Sequence, residues 1–205
     1  MKFRQIAFFA VVALVCTLAA HAGTVTFDLS MPSGLLGVSQ MYTAGPFTIT
    51  AFGFDGTGAP TDLYGKNLGF DETGLGLNND PSGQHEISGM NYIQLDLTSL
   101  LHNPGLAITI ASVQTGETFD IYGSDTMGTL GSLLFMGNST DDQVPISLTG
   151  GLGGFDFYSV MATNGNVIIE NVAATTSTVP EPGTLVMFGS GIVVLAGVLR
   201  RKLRM

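Results

Sequence analysis

The densest group of side chains able to do chemistry runs from Asp71 to Glu86, where Asp71, Glu72, Asn78, Asp80, Ser82 and Glu86 fall close together. Hard cations take about six to eight oxygen ligands, and carboxylates, amides and hydroxyls in one loop can supply them. A Ca²⁺ site built from these six residues is one expectation, and an acidic loop solvated between two strands is the other. Asn78-x-Asp80-x-Ser82-Gly83 matches the opening of an EF-hand loop, but Gly89 stands where the bidentate Glu belongs, so no EF-hand is expected. Asp71 and Glu86 are also a carboxylate pair of the kind glycoside hydrolases use, although sequence spacing does not set their separation in space.

Elsewhere the chemistry is sparse. His85 and His102 are the histidines beyond residue 22, too far apart in sequence to suggest one metal face, and His102 adjoins the turn signal Asn103-Pro104. Gly150-Gly151-Leu152-Gly153-Gly154 offers backbone N–H groups to an anion or is a flexible strand connection. Asn138-Ser139-Thr140 matches a glycosylation sequon. There is no G-x-S-x-G elbow, phosphate-binding P-loop, H-E-x-x-H pair or dinucleotide fingerprint, so a non-enzymatic protein is expected. With no Trp, a sugar-stacking platform would have to come from Tyr42, Tyr64, Tyr92, Tyr122 or Tyr158.

The elements that position these groups read as strands. Tyr92 to Leu97 and Leu106 to Ile110 alternate apolar and polar residues with period two, the mark of half-buried strands. Val25–Leu29, Phe47–Phe54, Thr118–Tyr122, Leu133–Met136, Gln143–Leu148, Phe155–Met161 and Val167–Val172 are further strands, separated by Gly, Asn, Asp and Pro. Nine short strands predict an all-β fold, a Gly-rich, jelly-roll-like β-sandwich over residues 23–172. No 3.6-residue period is sustained there, and only Thr98 to His102 suggests a helical turn before Pro104. Residues 23–178 carry fifteen Asp and Glu against the single Lys66, a formal charge of −14. Such a surface repels nucleic acid and attracts cations.

The termini obey different solvents. Lys2 and Arg4, an apolar run to Ala20, and Ala20-His21-Ala22 before Gly23 form the three parts of a secretory signal peptide, residues 1–22. Signal peptidase is expected to cut between Ala22 and Gly23 and to remove Cys16, the one cysteine, with the leader. Residues 173–178 read as a small polar linker. After them come Pro180-Glu181-Pro182, a hydrophobic helix over 185–199 and a basic tail over 200–204. That helix would rise about 22 Å, short of the roughly 30 Å hydrocarbon core, and the basic tail would hold its end on the cytoplasmic side.

The order of triplet, short hydrophobic helix and Arg-rich end in residues 179–205 resembles the PEP-CTERM sorting signal of Gram-negative and related bacteria. A tail of this kind is also called an ice-binding protein C-terminal domain, a label that implies no ice binding by residues 23–178. The resemblance implies recognition of Pro180, Glu181 and Pro182 by exosortase, a membrane transpeptidase. It further implies export, transient anchoring in the inner membrane, and a final place in the cell envelope or extracellular matrix, often beside exopolysaccharide. Gly74-Leu75-Gly76, Asn79-Asp80 and His85-Glu86-Ile87 are similar to a pattern in other exported PEP-CTERM β domains, without an established activity. The expected function is structural or adhesive. The alternatives are a carbohydrate-binding module, Ca-dependent or not, and less favourably a glycan hydrolase.

Overall fold

The computed structural model describes residues 23–176 apart from 102, 104, 151 and 152, together with 191, 199, 200 and 202. The expected leader, the Pro180-Glu181-Pro182 triplet and most of the hydrophobic helix lie outside the described residues, as does His102. The chain divides into a unit spanning Thr24–Thr176 and a second made of the two termini. Of the second, Gly23, at the start of a strand, and Gly191, Leu199, Arg200 and Lys202, all four helical, are described. Among the described residues no helix is long and apolar enough to cross a membrane.

Thr24–Thr176 is all-β, with two antiparallel sheets. One runs β11 (Ser132–Asn138), β10 (Thr118–Ser124), β13 (Phe157–Asn164), β8 (Tyr92–Asp96), β4 (Phe47–Phe54), β3 (Ser39–Ala44). The other runs β12 (Pro145–Ser147), β9 (Ala107–Ala111), β14 (Asn166–Thr176), β6 (Thr73–Leu77), β5 (Leu63–Asn67), β2 (Gly34–Gly37). Two short strands, β1 (Gly23–Asp28) and β7 (Ile87–Ser88), also pair with β14. Both sheets feed one apolar cluster, with Ile49, Ile93, Leu95, Phe119, Ile121 and Val160 from the first and Leu63, Leu75, Leu77, Ile108, Ile110 and Ile169 from the second. Sheets with alternating faces must bury one of them, and a sandwich-like pairing does so for both.

The nine expected strands are all present, β4 with the expected bounds, and a 3₁₀ turn occupies Thr98–Leu100. Two differences have physical causes. The strand through Tyr92 is not half-buried: Gln94 is fully buried as well, because the 125–131 segment covers the second face. Its amide donates to the Thr129 carbonyl (3.0 Å) and Ser159 Oγ (3.1 Å) and accepts from the Gly128 N–H (2.7 Å), so a polar residue lies inside at no hydrogen-bond cost. β2, β3, β5, β6 and β7 were not expected. β6, Thr-Gly-Leu-Gly-Leu, lies inside the segment read as a possible solvated loop, and its alternate residues are glycines that leave no side chain to mark a face. β14 also runs to Thr176, four residues into the expected linker, where Ala173 pairs with Ala107 and Ala174 is fully buried.

Candidate functional site

The site is built on the β5–β6 pair. Tyr64 faces Gly76 and Lys66 faces Gly74 across the ladder. Directly opposed residues share a sheet face, so Tyr64, Lys66 and the two glycines lie opposite the face that sends Leu63, Leu75 and Leu77 into the core. A Cβ on Gly76 would stand 2.0 Å from the His85 carbonyl oxygen and 2.8 Å from Glu86 Cα. Glycine therefore lets the returning His85–Glu86 backbone lie directly on the sheet. His85, at φ +62°, stacks on Tyr64 with ring centroids 3.9 Å apart and planes 12° apart. The next residue, Glu86, comes to rest against Lys66.

Asp80 holds the turn that makes this return. Its carboxylate accepts from the N–H groups of Ser82 (2.9 Å), Gln84 (3.0 Å) and Glu86 (3.2 Å), and from the hydroxyls of Ser82 and Ser88. Burial would raise its pKa, but these donors outweigh burial and hold it below the ordinary value of 3.8. A group with a depressed folded pKa contributes stability above its unfolded pKa and loses it as pH falls through the folded one. Asp80→Asn has one acceptor oxygen for five donors and is expected to cost about 1–3 kcal/mol at neutral pH. Acid titration of unfolding checks it: the gap between parent and variant should narrow below pH 3.8 as the parent's carboxylate is protonated.

Lys66 is 5% exposed and Glu86 is 0% exposed. Lys66 Nζ pairs with Glu72 Oε2 and with Glu86 Oε1. Ser112 Oγ lies 3.2 Å from Glu86 Oε1 and 3.3 Å from Glu72 Oε1, and Asn166 Nδ2 donates to Glu86 Oε2. Burial alone would lower the Lys66 amine, but the two carboxylates outweigh it and hold it above its ordinary value. The hydrogen bond from Lys66 leads in holding Glu72 low. For Glu86 burial dominates over the attraction of Lys66, and the carboxyl is pushed up.

The six expected cation ligands are thus divided. Glu72 and Glu86 converge on a lysine, Asp80 and Ser82 are spent on the turn, and Asp71 and Asn78 are exposed. Among the described residues no three His, Cys, Asp or Glu side chains are grouped to hold a metal ion. The carboxylates that meet are Glu72 and Glu86 instead of Asp71 and Glu86. Of the tyrosines, Tyr42, Tyr92 and Tyr158 are buried, which removes them as stacking platforms, while Tyr64 and Tyr122 are half-buried. Asn138 accepts from Thr140 N–H (3.0 Å) and caps a 3₁₀ turn over Ser139–Asp141. Lys66, Ser112 and Asn166 were not among the expected residues. A signal for Lys66 existed, since it is the one cation among fifteen carboxylates; Ser112 and Asn166 had none.

The molecule is therefore an acidic all-β domain followed by a tail of separate character. A family model, the PEP-CTERM protein-sorting motif, matches residues 178–202. The chain carries that motif, as expected from Pro180, Glu181 and Pro182, and the motif supports export with exosortase-type sorting. Comparisons with curated proteins and with solved structures return no match.

Proposed function

We propose that this is a cell-envelope or extracellular-matrix protein whose β domain is a structural or adhesive unit in an exopolysaccharide setting. Signal peptidase would release residues 23 onward, and exosortase would process the tail while it is held in the inner membrane. The observation that carries the reading is the sorting motif over residues 178–202. A non-catalytic role is supported by the carboxylates themselves, because Glu86 is wholly buried and both carboxylates are engaged by Lys66, leaving neither poised toward a substrate. Replacing Pro180, Glu181 and Pro182 together with Ala tests the sorting. Unprocessed protein should accumulate in the inner membrane, and processing indistinguishable from the parent would remove the basis of this reading.

Adhesion is supported by the β5–β6 turn, where Leu68 is 76% and Phe70 101% exposed. Large apolar side chains held fully in water cost free energy unless a partner covers them. Leu68→Ser with Phe70→Ser should leave the unfolding free energy within about 0.5 kcal/mol, as surface changes do, while weakening attachment to a matrix of the host's own polymer. A binding assay beside a melting curve separates the two effects.

Carbohydrate binding is favoured by one observation. A cavity of about 410 Å³ beside Tyr64 is lined by Ser33, Asn67, Gln84 and His85, a mixture of one ring and several hydrogen-bonding groups. Binding on a glycan array that is lost in Tyr64→Ala would move this reading ahead of the structural one.

A further inference from the structure

We propose that Lys66 and Asn166 become joined by a side-chain amide inside the folded domain, with Glu86 carrying the protons. Three strands bring the groups together. Lys66 is on β5, Asn166 opens β14, and Glu86 directly precedes β7, which pairs Ser88 with Asn166 and Ile87 with Val167. In the sheet β6 lies between β5 and β14. The β6–β14 register pairs Leu75 with Ile169, which places Glu170 across β6 from Lys66 and Gly74, so Asn166, four residues earlier on β14, meets Lys66 through the returning segment that carries Glu86. The amine and the carboxamide meet the two oxygens of one carboxylate: Lys66 Nζ is on Glu86 Oε1 and Asn166 Nδ2 on Glu86 Oε2. That carboxylate is out of water, and Ser112 Oγ fixes it at 3.2 Å.

An amine, a carboxamide and a proton carrier held in this way are the complete reactant set for amide exchange. Glu86 takes one proton from the Lys66 ammonium. The freed lone pair attacks Asn166 Cγ, and the N–C bond forms. A second proton passes from the attacking nitrogen through Glu86 to Nδ2, the Cγ–Nδ2 bond breaks, and ammonia leaves. The products are a secondary amide, ammonia and one proton, which remains on Glu86. No oxidant, nucleotide or metal is consumed.

The charges after reaction also balance. Lys66 is then neutral, and a buried ionised Glu86 would be uncompensated. Protonated Glu86 avoids that, in keeping with the upward push that burial gives its carboxyl. Glu72, more exposed, remains as the single charge. Before reaction the two carboxylates favour the ammonium form, so the step is a slow single turnover made irreversible by loss of ammonia. Its consequence is mechanical. β14 leads directly into the sorting segment, and the amide would tie that last strand covalently to β5.

Trypsin reads the outcome in the full chain, because Lys66 is the single Lys or Arg between Arg4 and Arg200. In denatured parent, an amide at Lys66 prevents the one internal cut, the intact mass is lower by one ammonia, and Glu-specific digestion yields the peptide ending at Glu72 linked to the peptide ending at Glu170. Asn166→Ala keeps the Lys66–Glu86 pair and should restore both the cut and the full mass. Asn166→Asp should form the same linked product with loss of water. Parent of full mass that is cut at Lys66 overturns the proposal. So does an ammonia loss confined to Asn164-Gly165, where cyclisation of the asparagine costs the same mass without linking two peptides.

Discussion

Lys66→Met is expected to lower the unfolding free energy by about 3–5 kcal/mol at neutral pH, because it leaves two carboxylates at the same place without their cation. Met fills the volume of the lysine stem, so the loss reports charge and hydrogen bonding more than packing. The comparison belongs in an Asn166→Ala background, where no amide can form and the ion pair links β5 to Glu86. Denaturant unfolding of the two chains provides the number. The sign of its pH dependence follows from Glu86, whose folded pKa is already raised by burial and would rise further without Lys66. A raised folded pKa gives stability that is present at low pH and lost as pH climbs through that pKa. The deficit of Lys66→Met should therefore shrink on acidification. An equal deficit at every pH would mean that Lys66 acts through its hydrocarbon stem.

Gly76→Ala is the second large effect, about 3 kcal/mol or more. The added methyl group would stand 2.0 Å from the His85 carbonyl oxygen, 2.9 Å from its carbonyl carbon and 2.8 Å from Glu86 Cα. All three are backbone atoms, so no rotamer change relieves the contact. The segment must lift from the sheet, separating His85 from Tyr64 and Glu86 from Lys66. Hydrogen exchange at the Glu86 amide, now held by Asp80 at 3.2 Å, should accelerate with the loss of stability. A fully stable variant with unchanged protection would show that the close approach at Gly76 is not required. The same contact explains locally why Gly74-Leu75-Gly76, Asn79-Asp80 and His85-Glu86-Ile87 occur together: Gly76 clears the floor for His85 and Glu86, Gly74 admits the β14 backbone at Ile169 and Glu170, Asp80 turns the chain, and Glu86 arrives over Lys66.

Where alternation was written in side chains, the strands were legible without coordinates, as in β8, where Ile93 and Leu95 both enter the core, and in β4, whose bounds Phe47–Phe54 coincide with the expected ones. The acidic balance and the three-part tail were equally open to reading, because charge, hydropathy and a proline triplet are local properties. β5 and β6 were not: in β6 glycine at every second place erases the period that betrays a strand, and β5, Leu-Tyr-Gly-Lys-Asn, has a single aliphatic residue and no alternation. Nor was the use of the carboxylates. Asp71, Glu72, Asp80 and Glu86 are neighbours in sequence and suggested a common cation. The fold gives Glu72 and Glu86 to Lys66, keeps Asp80 for three backbone N–H groups and two hydroxyls, and leaves Asp71 in water. Asn166 stands eighty residues from Glu86 and joins it only because β7 pairs with β14. A residue's own type decides what charge or hydrogen bond it can offer, but which partner receives it depends on strand pairing and close backbone approach, and these are settled by burial of the whole domain.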